Sequence, residues 1–480
     1  MIENLKNKWS QVPLTVKVST AYAVCSVLQK CVSFITLPLF TRLLTREQYG
    51  QYTIYSSWSG ILTIFLTLNL AYGSFQTAMV KFENQREGYI SAIQGICLVL
   101  CCFFLILYYP IRSVWNQLFE LPTSLVFLMV AEILFATATQ LWMGKKRFEF
   151  KYKSVVLVTL LTSIVSPFVA FIFVRIMNEK GYARILGYAI INILFGIVLF
   201  TYNCQKGKKL YDKKFWKYAV GFNVPLLAYY LSQVIFNQSD RIMISHITGT
   251  GDAAMYGVAY NLATVLTFVL NAINASYVPW LYEKIKDNKC SENKKTSLVI
   301  AILMGLMILC VVWYAPEIIV IMAGEQYEAA IYVVAPVAMS LFLLFYCQLF
   351  INVEFYYEEK KMLVYGSIIA ALLNIVLNYW LIPIYGFVAA GYTTLVSYFA
   401  FAISNYYNMH LVFKKRKLTD KLYDYKGLIF IFAIFMVSGF LGVALYGNLI
   451  LRIVVTLLVL GMLIIYRNKF LNTLKQIRSK

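Results

Sequence analysis

The sequence predicts an all-α integral membrane protein of about fourteen transmembrane helices, arranged as two pseudo-symmetric six-helix lobes with two further helices at the C-terminus. Three observations carry that prediction. Of the 480 residues, 60% are hydrophobic and 14% charged, and the mean hydropathy is +0.68. Such a chain has too little polar surface to dissolve as a globule. Apolar runs of about 20 residues, each long enough to cross roughly 30 Å of hydrocarbon, recur along the whole chain. Finally, one polar pattern occurs twice inside these runs. Tyr52, Ser56, Ser59 and Thr63 reappear as Tyr260, Thr264, Thr267 and Asn271, at spacings of 4, 3 and 4 that align each set along one helix face.

In chain order the spans fall at about 14–40, 51–73, 89–109, 122–143, 154–176 and 182–203 in the first lobe. A second set falls at about 216–238, 253–279, 297–315, 329–353, 362–383 and 386–410, and a final pair at about 427–446 and 448–467. The lobes are therefore 1–205 and 206–412, with 413–480 holding the last two spans and a cytosolic tail. Residues 1–40 are expected to hold a first membrane helix and not a signal peptide. The apolar run is too long, is interrupted by Lys30, and reaches Pro38 without a small-x-small cleavage pattern.

Charge sets the orientation, because Lys and Arg are retained on the cytoplasmic side. With the N-terminus inside, the inner segments hold Lys145 to Lys153, Lys206 to Lys217, Lys284 to Lys295, Lys414 to Lys426 and Arg467 to Lys480, among others. The outer segments hold only Arg42, Arg46, Arg112, Arg175, Lys180, Arg184 and Arg241. A miscounted helix would invert every later loop, so both termini are expected in the cytoplasm. The formal net charge of +21 then reflects basic loops facing anionic headgroups, and it argues for no nucleic-acid partner.

Several classes of function are excluded. The nine cysteines lie within spans or near the cytosolic side, where they read as small packing residues and not as disulfides. Two histidines make no zinc-type cluster, and no phosphate loop, nucleophile elbow or dinucleotide fingerprint occurs. Loops are too short for a soluble catalytic or ATPase domain. An enzyme is not expected, and neither is a bound cofactor.

The informative residues are the polar ones inside spans, where they are costly. In the seventh span Tyr229, Gln233, Asn237 and Arg241 follow one another at intervals of four, and in the first span the positions 199 earlier are Lys30, Phe34, Pro38 and Arg42. Spans 1 and 2 thus correspond to spans 7 and 8, as parallel repeats. Lys30 lies mid-span, where an ammonium costs at least about 2.5–3.5 kcal/mol to insert. It either faces a watery cavity and binds an anion or pairs with Glu132 in span 4. Arg42 and Arg241 close the outer ends of their spans, as forked anion donors or as interfacial anchors. Lys17 and Arg452 are expected to snorkel to the nearer interface. Glu83 and Glu354 are expected to serve loops, and Asn374 and Asn378 to make interhelical hydrogen bonds. The cavity residues are then Lys30, Arg42, Arg241, Tyr52, Ser56, Thr63, Tyr229, Gln233, Asn237, Tyr260, Thr264 and Asn271.

At these residues the chain resembles a known family. The block from Pro38 through Thr41-Arg42 to Tyr49-Gly50-Gln51-Tyr52 is similar to the first-helix signature of polysaccharide transporters, the Wzx-type O-antigen and capsule flippases. Asp240-Arg241 with Tyr256-Gly257 and Tyr260 resembles a later block of that family. So does Asn374 to Asn378, Ile382-Pro383, Tyr385-Gly386 and Ala389-Ala390-Gly391. The family usually shows glycine then two alanines there, so the reversed order puts local packing in question. The resemblance runs from about residue 12 to 467.

The resemblance implies the fold of the multidrug/oligosaccharidyl-lipid/polysaccharide exporter (MOP) superfamily, MATE-like, with two six-helix bundles enclosing a cavity. It implies a cargo of undecaprenyl-pyrophosphate-linked oligosaccharide, flipped from the inner to the outer leaflet of the bacterial cytoplasmic membrane by alternating access for surface polysaccharide biosynthesis. Cations would hold the pyrophosphate, and tyrosines and hydroxyls the sugars. Energy would come from an H+ or Na+ gradient, with Glu132 and Asp240 as the coupling carboxylates, or from consumption of product outside. Membrane lipids, a polysaccharide polymerase and a chain-length regulator are the expected partners. Rival readings are a lipid II flippase, expected to carry more cavity arginines, and a multidrug exporter, disfavoured by a central lysine. A membrane polymerase or ligase would need a large outer loop.

Overall fold

A computed structural model describes residues 14–287, 289–357, 361–416 and 422–458. These residues form helices and turns, with no strand among them. The chain divides into two compact units, Met1–Ile242 and Met243–Lys480.

The first unit contains α1 (Leu14–Leu43), α2 (Arg46–Thr67), α3 (Phe75–Lys81), α4 (Arg86–Tyr108), α5 (Arg112–Phe119), α6 (Thr123–Phe148), α7 (Tyr152–Ile176), α8 (Lys180–Gly207) and α9 (Lys213–Asn223). The start of α10 (Leu227–Thr248) completes it. Helix α8 is its hub, packing against α2, α4, α6 and α7. Small residues allow this: a Cβ on Gly187 would meet Ala170 Cα at 2.3 Å, and one on Gly196 would meet Phe135 O at 2.4 Å. Between helices in hydrocarbon, where no hydrophobic force drives association, such close approach is what dispersion requires. The apolar core runs from Leu62 and Leu66 of α2 through α4 and α6 and includes Phe215 and Ala219 of α9.

The second unit contains the end of α10 and α11 (Thr250–Ala263), α12 (Thr267–Lys286), α13 (Cys290–Trp313), α14 (Ala315–Ala323) and α15 (Ile331–Tyr356). After them come α16 (Lys361–Tyr385), α17 (Val388–Lys415), α18 (Tyr425–Ala444) and an apolar helix over Leu449–Leu458, α19. Its hub is α15, whose apolar window is 89% buried by α17, α13, α11, α18 and α12. An almost uninterrupted run of aliphatic and aromatic residues is what a helix covered on all sides needs.

Eleven helical stretches among the described residues are long and apolar enough to cross a membrane. The chain is a multi-pass membrane protein. Helix α2 is less apolar than these because it carries Gln51, Ser56, Ser57, Ser59 and Thr63, and α17 because of its Thr, Ser and Asn residues. Of the last expected span, 448–467, the described part forms α19, and its part beyond 458 lies outside the described residues, as do Lys360 and Arg467 to Lys480.

Three expected helices differ from those observed. Span 2 is expected to run to 73, but α2 stops at Thr67 because Leu68 and Asn69 take positive φ, 48° and 52°. The span at 216–238 is interrupted at Val224–Leu226, a 3-10 turn around Pro225, and continues to Thr248 as α10. Proline removes an amide donor, so the ladder must break there. The span at 253–279 is likewise split by a 3-10 turn at Thr264–Leu266. There the Thr264 hydroxyl donates to Tyr260 O at 2.8 Å and that of Thr267 to Thr264 O at 2.6 Å, a back-bonding that bends helices. Tyr260 therefore lies on α11, Thr264 in the turn and Asn271 on α12.

Arg452 does not snorkel. It is 2% exposed and holds Glu317 through two bonds, Nη1 to Oε2 at 2.8 Å and Nη2 to Oε1 at 2.7 Å, while Nη1 also donates to Trp313 O at 2.6 Å. The carboxylate comes from α14, a short helix that hydropathy alone leaves inside a loop.

Candidate functional site

Helix α2 is started by a capping box. Thr45 Oγ1 accepts from the Gln48 amide at 3.3 Å, and Gln48 Oε1 accepts from the Thr45 amide at 3.1 Å. The box satisfies two amide donors that the first turn would otherwise leave open. It follows directly on Arg42 at the end of α1 and fixes the rotation of α2. From that rotation Tyr49 and Tyr52 turn toward α8, and Tyr55 turns toward α6.

Tyr52, the first residue of the stripe, meets a cation that the sequence placed among the outer loop charges. Arg184 is 5% exposed, and its guanidinium carbon lies 3.9 Å from the Tyr52 ring centroid, 4.2 Å from that of Tyr49 and 4.6 Å from that of Phe40. Tyr188, one turn further along α8, packs against Tyr52 at 5.8 Å and against Phe40 at 6.0 Å. A guanidinium is weakly hydrated and planar, so it accepts aromatic faces in place of water where an ammonium would not. Its Nε and Nη1 have no hydrogen-bond partner among the described residues.

Glu132 of α6 forms the second polar focus. It is half-buried, accepts from Tyr55 Oη at 2.7 Å and accepts from Asn192 Nδ2 of α8 at 2.8 Å. The acid is thus engaged by a phenol and an amide on two neighbouring helices. Lys30 itself is exposed on α1, where the adjacent Gln29 donates to Ser163 Oγ of α7 at 3.0 Å.

Further along the α2 face Ser56 is exposed, and Ser59 and Thr63 are half-buried. The Thr63 hydroxyl donates to Ser59 O at 2.6 Å, so it offers acceptor lone pairs outward. A Cβ on Gly60, inside the stripe, would lie 3.5 Å from Gln238 Nε2, and Gln238 Oε1 accepts from Arg241 Nη1 at 2.7 Å. Arg241 and Asp240 are buried, at 8% and 1% exposure, while Arg42 is exposed. Tyr229, Gln233 and Asn237 are half-buried on α10, and Asn237 Nδ2 donates back to Gln233 O at 2.7 Å.

In the second unit Tyr260 packs against Tyr256 at 5.9 Å, Thr264 is half-buried and Asn271 exposed. Tyr256 Oη lies 3.5 Å from Thr394 Oγ1, which accepts from Asn374 Nδ2 at 3.3 Å. Asn378 Nδ2 donates to Asn374 Oδ1 at 3.2 Å, and Thr393 Oγ1 donates to Asn378 Oδ1. The two asparagines make the interhelical bonds expected of them. The reversed Ala389-Ala390-Gly391 order also has a packing reason. A Cβ on Gly391 would stand 2.9 Å from Pro336 Cγ and 3.6 Å from Val333 Cα, so glycine is needed where α17 meets α15.

Comparison with known proteins agrees with this architecture. Residues 16–285 match the family described as "Polysaccharide biosynthesis protein". A protein of the Lsg locus of Haemophilus influenzae is 24% identical over 377 residues, covering 75% of this chain and 89% of its own length. A membrane protein of the same organism is 21% identical over 378 residues, covering 75% and 88%. Among solved structures, the lipid II flippase MurJ in an inward closed conformation superposes with TM-score 0.63 at 14% identity, covering 89% of this chain and 100% of that one. An inward-facing MATE family multidrug transporter of the MOP superfamily gives TM-score 0.60 at 11% identity, covering 84% and 100%. At those identities the likeness is one of fold, and the fold is that of flippases and transporters. The chain belongs to the polysaccharide biosynthesis protein family and has the MOP transporter fold.

Proposed function

We propose that this protein flips undecaprenyl-pyrophosphate-linked oligosaccharide repeat units from the inner to the outer leaflet of the bacterial cytoplasmic membrane, by alternating access. The observation that carries the reading is the polar face of α2 and α8 in a chain of this family: a guanidinium among tyrosines, an acid held by Tyr55 and Asn192, and a run of hydroxyls. Tyrosine rings stack on sugar faces, hydroxyls exchange hydrogen bonds with sugar hydroxyls, and Lys30, Arg42 and Arg241 supply charge for a pyrophosphate. A multidrug exporter has less use for such cations, because many of its cargoes are cations themselves.

Alternating access only moves cargo uphill if something biases the two states differently. An H+ or Na+ gradient acting on Glu132 and Asp240 would do so, and so would removal of product by a polymerase and its chain-length regulator. With both termini in the cytoplasm, the basic loops face anionic headgroups.

The test is translocation itself. Purified protein in proteoliposomes is given a short oligosaccharide on a polyprenyl pyrophosphate with a fluorescent sugar, and outward exposure is followed by quenching from one side. Protein-dependent exposure of the pyrophosphate-linked glycan, and not of a cationic dye, is expected. Equal rates with empty liposomes would overturn the reading.

A further inference from the structure

A cavity of about 490 Å³ lies at one end of the first unit, where α4 and α9 begin and α6 and α8 end. Its walls are fixed by the local sequence. A Cβ on Gly207 would overlap Glu87 O and Ser91 Cβ, so the glycine lets the last turn of α8 press against the first turns of α4. Lys208 then takes positive φ, 64°, and the turn leaves both Lys206 and Lys209 lining the cavity. Asp212 ends the turn by capping α9, accepting from the Lys214 amide at 3.0 Å and the Phe215 amide at 3.2 Å.

Four acids and four bases line this cavity, yet they do not cancel. Glu87 accepts from Lys145 Nζ at 2.7 Å, and Glu149 lies 3.5 Å from that same Nζ and 2.9 Å from Lys151 Nζ. Glu83 meets Arg86 Nη2 at 3.4 Å. Arg86 is engaged elsewhere too, since its Nε donates to Met79 O at 2.8 Å and its guanidinium lies over the Phe148 ring. With Asp212 serving as the cap, every acid already has a donor. The side chains of Lys206 and Lys209 have no ion pair or hydrogen bond among the described residues.

The surplus is therefore two ammonium groups beside a polar space, and it calls for an anion. Ammonium groups are point charges that suit phosphate oxygens. Gly88, in the first turn of α4, also lines the cavity, and Gln85 at the N-cap places no side-chain acceptor on that turn. The exposed amides of Asn84 and Gln85 can exchange hydrogen bonds with hydroxyls. Phe215 is only 5% exposed and offers no ring face to a nucleobase. A volume near 490 Å³ is in the usual range for a small ligand.

We propose that this cavity binds a phosphate ester bearing a small hydroxylated group, with Lys206 and Lys209 as its charge partners. The reading is independent of the cargo proposed above. Two sources share this chemistry: a soluble phosphate ester, and the headgroup of an anionic lipid. The second is within reach because the helix ends around the cavity belong to stretches apolar enough to cross a membrane.

The experiment is native mass spectrometry of the full chain released from detergent, titrated with phosphatidylglycerol or, separately, with glycerol 3-phosphate. Lys206→Gln/Lys209→Gln is compared with Lys208→Gln/Lys213→Gln, which removes the same charge from exposed lysines that do not line the cavity. The first variant should bind at least one probe more weakly by roughly 10- to 100-fold, and the second should match the parent. An effect on phosphatidylglycerol alone assigns the cavity to a lipid headgroup, and one on glycerol 3-phosphate assigns it to a soluble ester. Equal weakening in both variants would overturn the proposal in favour of diffuse surface charge. So would unchanged binding in the first variant, or binding of neither probe to the parent. No glycan-linked lipid enters the measurement, so its failure and a failure of the transport reading are separate events.

Discussion

Arg184 and Tyr52 lie in van der Waals contact, the guanidinium carbon 3.9 Å from the ring centroid, and their contact joins the start of α8 to the start of α2. A desolvated cation–π contact is worth about 2 kcal/mol, and Tyr49 and Phe40 share this cation. Arg184→Ala should therefore lower stability by roughly 2–4 kcal/mol, and Arg184→Lys by about half that, because the ammonium cannot stack on several planes. Thermal unfolding followed in detergent, together with surface polysaccharide in a complemented strain, measures both. Equal midpoints for parent and Arg184→Ala would show that the rings do not hold the cation.

Tyr55 and Asn192 each donate one hydrogen bond to Glu132, at 2.7 and 2.8 Å. Tyr55→Phe keeps the ring but leaves one carboxylate oxygen without its donor, a loss of about 1–3 kcal/mol. The effects of Tyr55→Phe and Glu132→Gln should not add, and a coupling of roughly 0.5–3 kcal/mol is expected in a double-mutant cycle. Strict additivity would mean that the bond contributes nothing in the membrane-embedded protein.

The fold class was legible in the sequence because hydropathy is read over whole spans. The breaks were less so. Val224-Pro225 announces the 3-10 turn after α9, yet a window of about 20 residues averages across it. Leu68 and Asn69 give almost no such signal, since positive φ at a leucine is imposed by its surroundings.

At the candidate site, the capping box at Thr45 and Gln48 and the face through Tyr52 and Thr63 follow from spacing alone. Arg184 escaped because a charge just past a loop looks like an anchor. Only the folded chain brings Phe40, Tyr49 and Tyr52 of two other helices around it. Arg452 differs from expectation for a related reason. Hydropathy says how deep a residue sits, and it does not say which neighbours it meets.

The proposed function gives Lys30 a part in holding cargo. This lysine is exposed on α1, and removing a mid-span ammonium should not destabilise the protein, since its insertion costs at least about 2.5 kcal/mol. Lys30→Ala should thus abolish surface polysaccharide while abundance and thermal midpoint stay at or above the parent's. Full complementation by this variant would count against a role in holding cargo.

The pair of Arg452 and Glu317 should behave oppositely. Glu317→Gln removes the charge partner of a buried guanidinium. Complete loss of a buried pair costs about 3–5 kcal/mol, and the partial exposure of Glu317, 34%, reduces that to roughly 1–3 kcal/mol. The unfolding midpoint should fall while the rate of transport per folded molecule is unchanged. A transport defect without loss of stability would move this pair from scaffold to mechanism.

Acid should weaken the fold at the end of α6. Glu149 lies just beyond α6, where burial raises its pKa but the Lys151 hydrogen bond and the charges of Lys145, Lys151 and Lys146 outweigh it, so the carboxyl is held below its ordinary value of 4.5. The Nζ of Lys151 is 2.9 Å away and that of Lys145 is 3.5 Å away. A group whose pKa is depressed by folding adds stability that is present above the unfolded value and is lost as pH falls through the folded one. The contribution is therefore full at neutral pH and declines below about pH 4.5. Between pH 6 and pH 3.5 the parent's thermal midpoint should fall further than that of Glu149→Gln, which has no such charge to lose. Parallel curves for the two proteins would show that the lysines around Glu149 leave its titration unlinked to folding.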